Sequence, residues 1–221
     1  MTFDPLASMG TPISRSSYVV ETIRRKILSG EFEAGRPLVE TELASAFAMS
    51  KTPVREALKT LSGNGLVTMS EFRGAVVRSV DAAMARDVFD VRRMIEPKAV
   101  ALAVTRGGID VARAREALDH AGRADGVADR SMSNREFHRL TYATCGNPLL
   151  ISILDGLRDQ TALITVTAWS RGISWEHEAH EHAAILAAIE AGDAAEAERL
   201  DAAHIAAFAA NALEKLEAVD A

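Results

Sequence analysis

The sequence predicts a mainly α protein, with an N-terminal winged helix-turn-helix followed by an all-α bundle of six helices. Three observations carry that prediction. Two short helical segments meet at a tight turn just before residue 50. A single pair of β-rich segments, residues 66–69 and 75–78, follows them. Beyond residue 81 the apolar residues recur only at helical spacing, and glycines separate the repeats.

Residues 1–14 hold Pro5, Gly10 and Pro12 among small residues without periodicity, and are expected to form a flexible tail. From Ser17 the pattern turns helical: Val19 or Val20 shares a face with Ile23 and Ile27, and Gly30 stops the helix. Arg24, Arg25 and Lys26 lie off that face, which suits solvent or phosphate. After the turn Gly35-Arg36-Pro37, residues 41–47 make a second short helix, and Ala48-Met49 turns into a third. That third helix, residues 50–61, has the clearest job in the chain. Ser50 is expected as its N-cap, its hydroxyl accepting from a first-turn N–H. Pro53 sits in the first turn, where no donor is needed. Val54, Leu58 and Leu61 form the buried face. Lys51, Thr52 and Arg55 cluster near the exposed start, a shape that enters a DNA major groove. The two β segments then read as a wing. Arg73 at its tip can reach phosphate or a minor groove, and Gly74 meets the need of a tight hairpin for positive φ.

Composition bounds the rest. The chain has 221 residues, 48% of them hydrophobic and only 5% aromatic, which favours alanine-rich helices packed closely together. Cys145 is the one cysteine, so no internal disulfide is possible and a reducing compartment is expected. No leader pattern and no membrane-length apolar run are evident, so a cytoplasmic location without a membrane partner is expected. The net charge of −6 argues against nucleic acid only until it is divided. Residues 1–80 carry 10 Lys and Arg against 8 Asp and Glu, and residues 81–221 carry 15 against 23. A mildly basic head on an acidic body suits a DNA-binding module joined to something else. The expected domains are therefore residues 15–80 for DNA binding and 81–221 for effector binding and dimerisation.

The six helices of the second half are expected at residues 82–105, 109–124, 132–144, 148–170, 175–191 and 193–217, with Pro97 distorting the first. All six histidines lie in this half. Asn134 and His138 are four apart and share a helix face. His182 and His204 lie on two other helices, so three imidazoles and one oxygen can meet inside the bundle and hold a divalent metal. His120, His177 and His180 are read as ordinary core or surface residues without a ligand role. His177-Glu178-Ala179-His180 is one residue short of a zinc-protease motif. Glu181 adjoins His182, but its side chain should leave the helix about 100° away.

Ile27-(x)2-Gly30, Glu42-Leu43-Ala44, Ser50-Lys51-Thr52-Pro53-Val54-Arg55-Glu56-Ala57-Leu58 and Gly65-Leu66-Val67 resemble the winged helix of GntR-type bacterial transcription regulators. That resemblance implies DNA contacts from Thr41, Ser50, Lys51, Thr52, Arg55, Arg73 and Gly74. Lys51 departs from the family, which usually has Arg there; lysine lacks the planar fork that grips guanine. Arg92-(x)2-Ile95-Glu96, Asn134-(x)3-His138, Gly146-Asn147-Pro148, Glu181-His182 and His204-Ile205 are similar to the FCD effector domain, in the six-helix VanR-like form of the FadR-like branch. This implies a metal on Asn134, His138, His182 and His204, with zinc or alternatively nickel as the ion. The family often has Asp at the Asn134 position, and an amide is the poorer, neutral ligand. The combined expectation is a homodimeric repressor of a double-stranded, palindromic operator. A small carboxylate effector would bind at the metal, with Arg92 as a second anchor or as a partner of Glu96 along its own helix. The alternative is a metal-dependent hydrolase with an accessory DNA-binding domain.

Overall fold

A computed structural model describes residues 14–70 and 74–218. The head begins with α1 (Arg15–Leu28), two residues earlier than its apolar pattern, because Ser14 Oγ accepts from the Ser17 amide at 3.0 Å. Then come α2 (Glu40–Ala46) and α3 (Lys51–Gly63). The turn between them forces Ala48 to φ 50°, a left-handed conformation that non-glycine residues rarely adopt. The Met49 amide closes the turn on the Ala44 carbonyl at 2.9 Å. Strands β1 (Val67–Ser70) and β2 (Gly74–Val77) pair antiparallel, with Val67 opposite Val77 and Ser70 opposite Gly74. Val19, Ile23, Ile27, Val54, Leu58, Leu61 and Leu66 are buried and form the head's core.

The body comprises α4 (Ala82–Arg106), α5 (Val111–Arg123), α6 (Val127–Tyr142), α7 (Pro148–Ser170), α8 (Trp175–Glu190) and α9 (Ala194–Glu217). Helix α4 runs through Pro97 as one helix and lies along α9. Ala85 of α4 and Ala209 and Ala212 of α9 are buried, and the tilted rings of Phe89 and Phe208 pack with centroids 5.5 Å apart. Helix α6 starts five residues before its expected position, because Gly126 caps it and Val127 and Ala128 pack on the core.

Head and body share one apolar core, which runs from α1 through Leu163 and Val166 of α7 to Ile205 and Phe208 of α9. Two contacts lock this joint. A side chain at Gly65, whose φ is +75°, would meet Gln160 of α7 at 2.6 Å. Beside it, the Asp159 carboxylate accepts from Arg24 Nε at 3.1 Å, Arg24 Nη2 at 2.9 Å and Asn64 Nδ2 at 2.9 Å. Arg24 is therefore buried at the joint rather than solvated. Its neighbours in the basic triplet are also engaged, Arg25 with Asp129 and Lys26 with Glu31.

Candidate metal centre and DNA-facing surface

Three helices each deliver one imidazole to a single point in the body. His138 of α6, His182 of α8 and His204 of α9 are all buried, and one ring nitrogen from each lies within 4.8 Å of the others. His182 Nε2 and His204 Nε2 are 3.1 Å apart. Two nitrogens each about 2.0–2.1 Å from a tetrahedral zinc would stand about 3.3 Å apart, so the spacing fits an ion of that kind. The rings are held from behind: Phe137 lies 5.0 Å from His182 and Trp175 5.7 Å from it, centroid to centroid. Burial, reinforced by the other two imidazoles, holds His182 well below its ordinary pKa, and burial takes His138 down to about 3. Both rings are neutral at physiological pH, the form that ligates metals. Asn134 Oδ1, one turn before His138, is buried without a hydrogen-bond partner.

Glu181 contributes in a way its position beside His182 concealed. Its side chain crosses to α9, where Oε2 accepts from His204 Nδ1 at 2.7 Å. That bond leaves the His204 Nε2 lone pair facing the other imidazoles, as a carboxylate behind a ligating histidine does. The helical angle alone suggested that Glu181 turns away from the site, but a glutamate is long enough to reach a ligand on the next helix. His177 lies at the rim, 3.5 Å from Glu181.

Arg92 is buried and forked on Glu96, with Nε–Oε2 at 2.6 Å and Nη2–Oε1 at 3.1 Å. Of the two roles the spacing allowed, the partnership along α4 is the one seen. Glu96 also approaches Arg158 Nη2 at 2.7 Å and His138 Nδ1 at 3.4 Å. Burial alone would raise the Glu96 carboxyl, but the Arg158 and Arg92 guanidiniums hold it well below the usual range.

Next to this network is a cavity of about 10 Å³, lined by α6 and α7. Around it Ser131 Oγ, Asn134 Oδ1, Arg158 Nε and Thr161 Oγ1 are buried without hydrogen-bond partners, while Arg135 Nε and His138 Nδ1 have only long contacts, to Asp159 at 3.3 Å and to Glu96 at 3.4 Å. Such concentration is unusual, because buried polar atoms are nearly always satisfied by protein or water. Ser131, Arg135, Arg158 and Thr161 carried no readable signal in the sequence. Only packing distinguishes a buried arginine from the many exposed ones.

On the head, Thr41, Ser50, Lys51, Thr52, Arg55 and Gly74 are all exposed. Ser50 occupies the N-cap position, but its side chain makes no capping bond. Its hydroxyl therefore remains at the open end of α3. Arg55 is bridged to Glu40 of α2, with Nη2–Oε2 at 2.8 Å and Nε–Oε1 at 3.0 Å. Arg73 lies outside the described residues.

Comparison with known proteins agrees with both halves. The model of "Bacterial regulatory proteins, gntR family" matches residues 15–77, and that of the FCD domain matches residues 87–207. The HTH-type transcriptional repressor GlaR of Escherichia coli (strain K12) is 28% identical over 195 residues, covering 83% of this chain and 89% of that one. The galactonate operon transcriptional repressor of the same strain is 26% identical over 210 residues, covering 83% and 91%. Among solved structures, a transcriptional regulator GntR from Rhodococcus sp. RHA1 superposes with a TM-score of 0.78 at 23% identity, covering 90% of this chain and 98% of that one. E. coli McbR/YncC superposes with 0.76 at 22%, covering 91% and 98%. The chain belongs to the GntR family of bacterial transcriptional regulators, with a gntR-type DNA-binding head and an FCD body.

Proposed function

We propose that this regulator is a repressor whose body senses a small organic acid beside a divalent metal ion. The observation that carries the sensing reading is the ring of unpartnered buried donors and acceptors around the α6–α7 cavity. His138, His182 and His204 would hold the ion, with zinc favoured by three imidazoles and a nearby oxygen. Asn134 is the oxygen donor that the family resemblance suggests. When bound, the ion would supply positive charge that attracts a carboxylate. Arg135 Nε and Arg158 Nε face the same space and supply hydrogen bonds to that carboxylate. Arg92 acts at one remove, through the Glu96 carboxylate it shares with Arg158.

The cavity as it stands has room for about one water. An acid must therefore widen it, and the walls it moves include Arg135. Arg135 Nε is also 3.3 Å from Asp159 Oδ1, the carboxylate that ties the head through Arg24 and Asn64. An entering carboxylate competes with Asp159 for Arg135 and so acts on the joint between sensor and head. Binding shifts the head only in so far as the acid favours one arrangement over another.

On DNA, Lys51, Thr52 and Arg55 would enter the major groove, Arg55 exchanging Glu40 for a base or phosphate. Thr41 and Ser50 would bind backbone, and Arg73 and Gly74 of the wing would follow the adjacent groove. A homodimer places two heads on a palindromic operator. The exposed apolar residues Val91, Met94 and Leu102 of α4, with Leu149 and Ile153 of α7, offer a surface for that pairing. A band-shift with metal-loaded protein tests the reading. DNA from the gene's own neighbourhood should be retained, and a small carboxylate should change that retention. Failure to retain any such fragment defeats the regulatory reading. Retention that no carboxylate alters defeats the acid-sensing one.

A further inference from the structure

A second cavity, of about 680 Å³, lies at the joint between head and body and shares no lining residue with the α6–α7 cavity. The head contributes the end of α1, Phe32 and the stretch after β2; the body contributes the start of α6, the end of α7 and the loop into α8. Its size falls among sites that take drug-sized molecules, about 300–1,000 Å³. Phe32, Leu163 and Val166 supply buried apolar walls. The protein has two tryptophans, and both stand here: Trp169 and Trp175 meet edge to face with centroids 5.6 Å apart.

Three arginines line the same cavity, Arg78 from the head and Arg130 and Arg171 from the body, each half-buried. None of them makes an ion pair among the described residues. Arg130 lies over Trp175, 5.9 Å from a ring centroid, and donates through Nε and Nη2 to the Ala121 and Ala124 carbonyls at 3.2 and 2.7 Å. Arg171 Nη1 donates to the Lys215 carbonyl at 3.1 Å. A carbonyl fixes a guanidinium without neutralising it. The buried arginines elsewhere, Arg24, Arg92 and Arg158, each have a carboxylate. Here the lining sets one acid against three cations, and that acid, Glu33, is exposed.

We propose that the joint cavity is a second ligand site and that it takes a planar aromatic carboxylate of about two fused rings. The rings lie against the indoles and the apolar walls, where flat aromatic faces pack best. The carboxylate supplies the charge the lining lacks and draws Arg78 of the head and Arg130 of the body to one anion, a group that the guanidinium fork matches. Such a ligand touches both domains, so it holds the head in the arrangement it binds best. The site needs no metal, and it stands whether or not the α6–α7 cavity senses an acid. Trp175 also backs the His182 ring, so one indole touches both this cavity and the histidine cluster.

Calorimetric titration of the metal-free full chain with 1-naphthoate, a two-ring probe of suitable size, tests this. Naphthoate should bind, and the neutral naphthalenemethanol should bind at least about tenfold more weakly. Both indole N–H signals of nitrogen-15-labelled protein should shift during the titration, since both tryptophans line the cavity. Arg78→Gln and Arg130→Gln should each lower naphthoate affinity about tenfold or more, the loss of one charge-assisted bond. Thr167→Phe fills the cavity from α7 and should abolish binding. Arg78→Gln decides the matter if either of the others fails to fold, because the Arg78 side chain has no bond to lose among the described residues. Absence of naphthoate binding, equal binding of the acid and the alcohol, or unchanged affinity in Thr167→Phe or Arg78→Gln overturns the proposal. Operator binding and metal content play no part in these readings, so such a failure leaves the repressor reading standing.

Discussion

Two arginine–glutamate pairs in this molecule are alike in chemistry and opposite in consequence. Arg55–Glu40 lies on the head, with side chains 55% and 29% exposed; Arg92–Glu96 lies in the body, at 3% and 0%. Water competes for every bond of the first pair, so Arg55 can leave Glu40 for another anion at little cost. The buried pair is shielded from that competition, and separating Arg92 from Glu96 would strand a charge in a poor dielectric. The surface pair is suited to exchange and the buried pair to permanence. A regulator needs both kinds: contacts that DNA can replace, and a scaffold that keeps its shape while they are replaced.

The sharpest way to break this contrast is at Glu96. Glu96→Gln leaves Arg92 and Arg158 without their shared carboxylate and should cost about 3–5 kcal/mol in denaturant unfolding of metal-free protein. A loss below about 1 kcal/mol would mean the buried network is no more permanent than a surface pair. Asp159→Asn comes next. It weakens the charge-assisted bonds to Arg24 and should cost about 2–3 kcal/mol. Amide exchange should quicken in α1 and at the end of α3 while α8 stays protected. Equal changes in all three would place Asp159 in the general core rather than at the joint.

The pH dependence sharpens the comparison within the body. Burial pushes the Glu178 carboxyl up to about 7 from its ordinary 4.5, although the Trp169 indole donates to it. The folded state therefore holds this proton more tightly than the unfolded chain does. The associated stability is complete below about pH 4.5 and is lost as pH rises through about 7. Melting temperature should fall between about pH 5 and pH 8, and Glu178→Gln should flatten that fall. Parallel pH profiles for the two proteins would contradict the assignment.

The smallest effects on the fold should come from the head. Arg55→Ala should weaken operator binding about tenfold or more and leave the melting temperature unchanged. Glu40→Gln should tighten operator binding severalfold, because it removes a competitor for Arg55 and a negative charge facing the phosphates. Weaker DNA binding by Glu40→Gln would show that Glu40 positions Arg55 for DNA instead of competing for it.

The head was the more legible region because its information is local. Ser50 to Leu61 places cations at a helix start and leucines on the opposite face within a dozen residues, and period alone turns that into an exposed edge and a buried one. Even there, local logic erred where a side chain serves something other than its own helix. Ser50 does not cap, and Arg24 leaves the solvated face to meet Asp159 of α7. In the body, the three histidines could be picked out because imidazoles on separate helices are few. Ser131, Arg135, Arg158 and Asp201 could not, since a buried polar residue has the same letter as an exposed one.

By itself, then, the sequence determined the order and kind of the elements, the exposed edge of α3 and the helices that carry His138, His182 and His204. These follow from periodicity, capping and turn chemistry, which act over a few residues. Only the tertiary structure decided that the three imidazoles share a focus, that Glu181 braces His204 and that Asp201 is buried without a hydrogen-bond partner. It alone brought neighbouring residues of α7 to opposite tasks, Arg158 to the buried Glu96 carboxylate and Asp159 to the head. Contacts between residues 22 to 135 apart depend on how whole helix faces pack, and no short stretch of sequence contains both sides of such a contact.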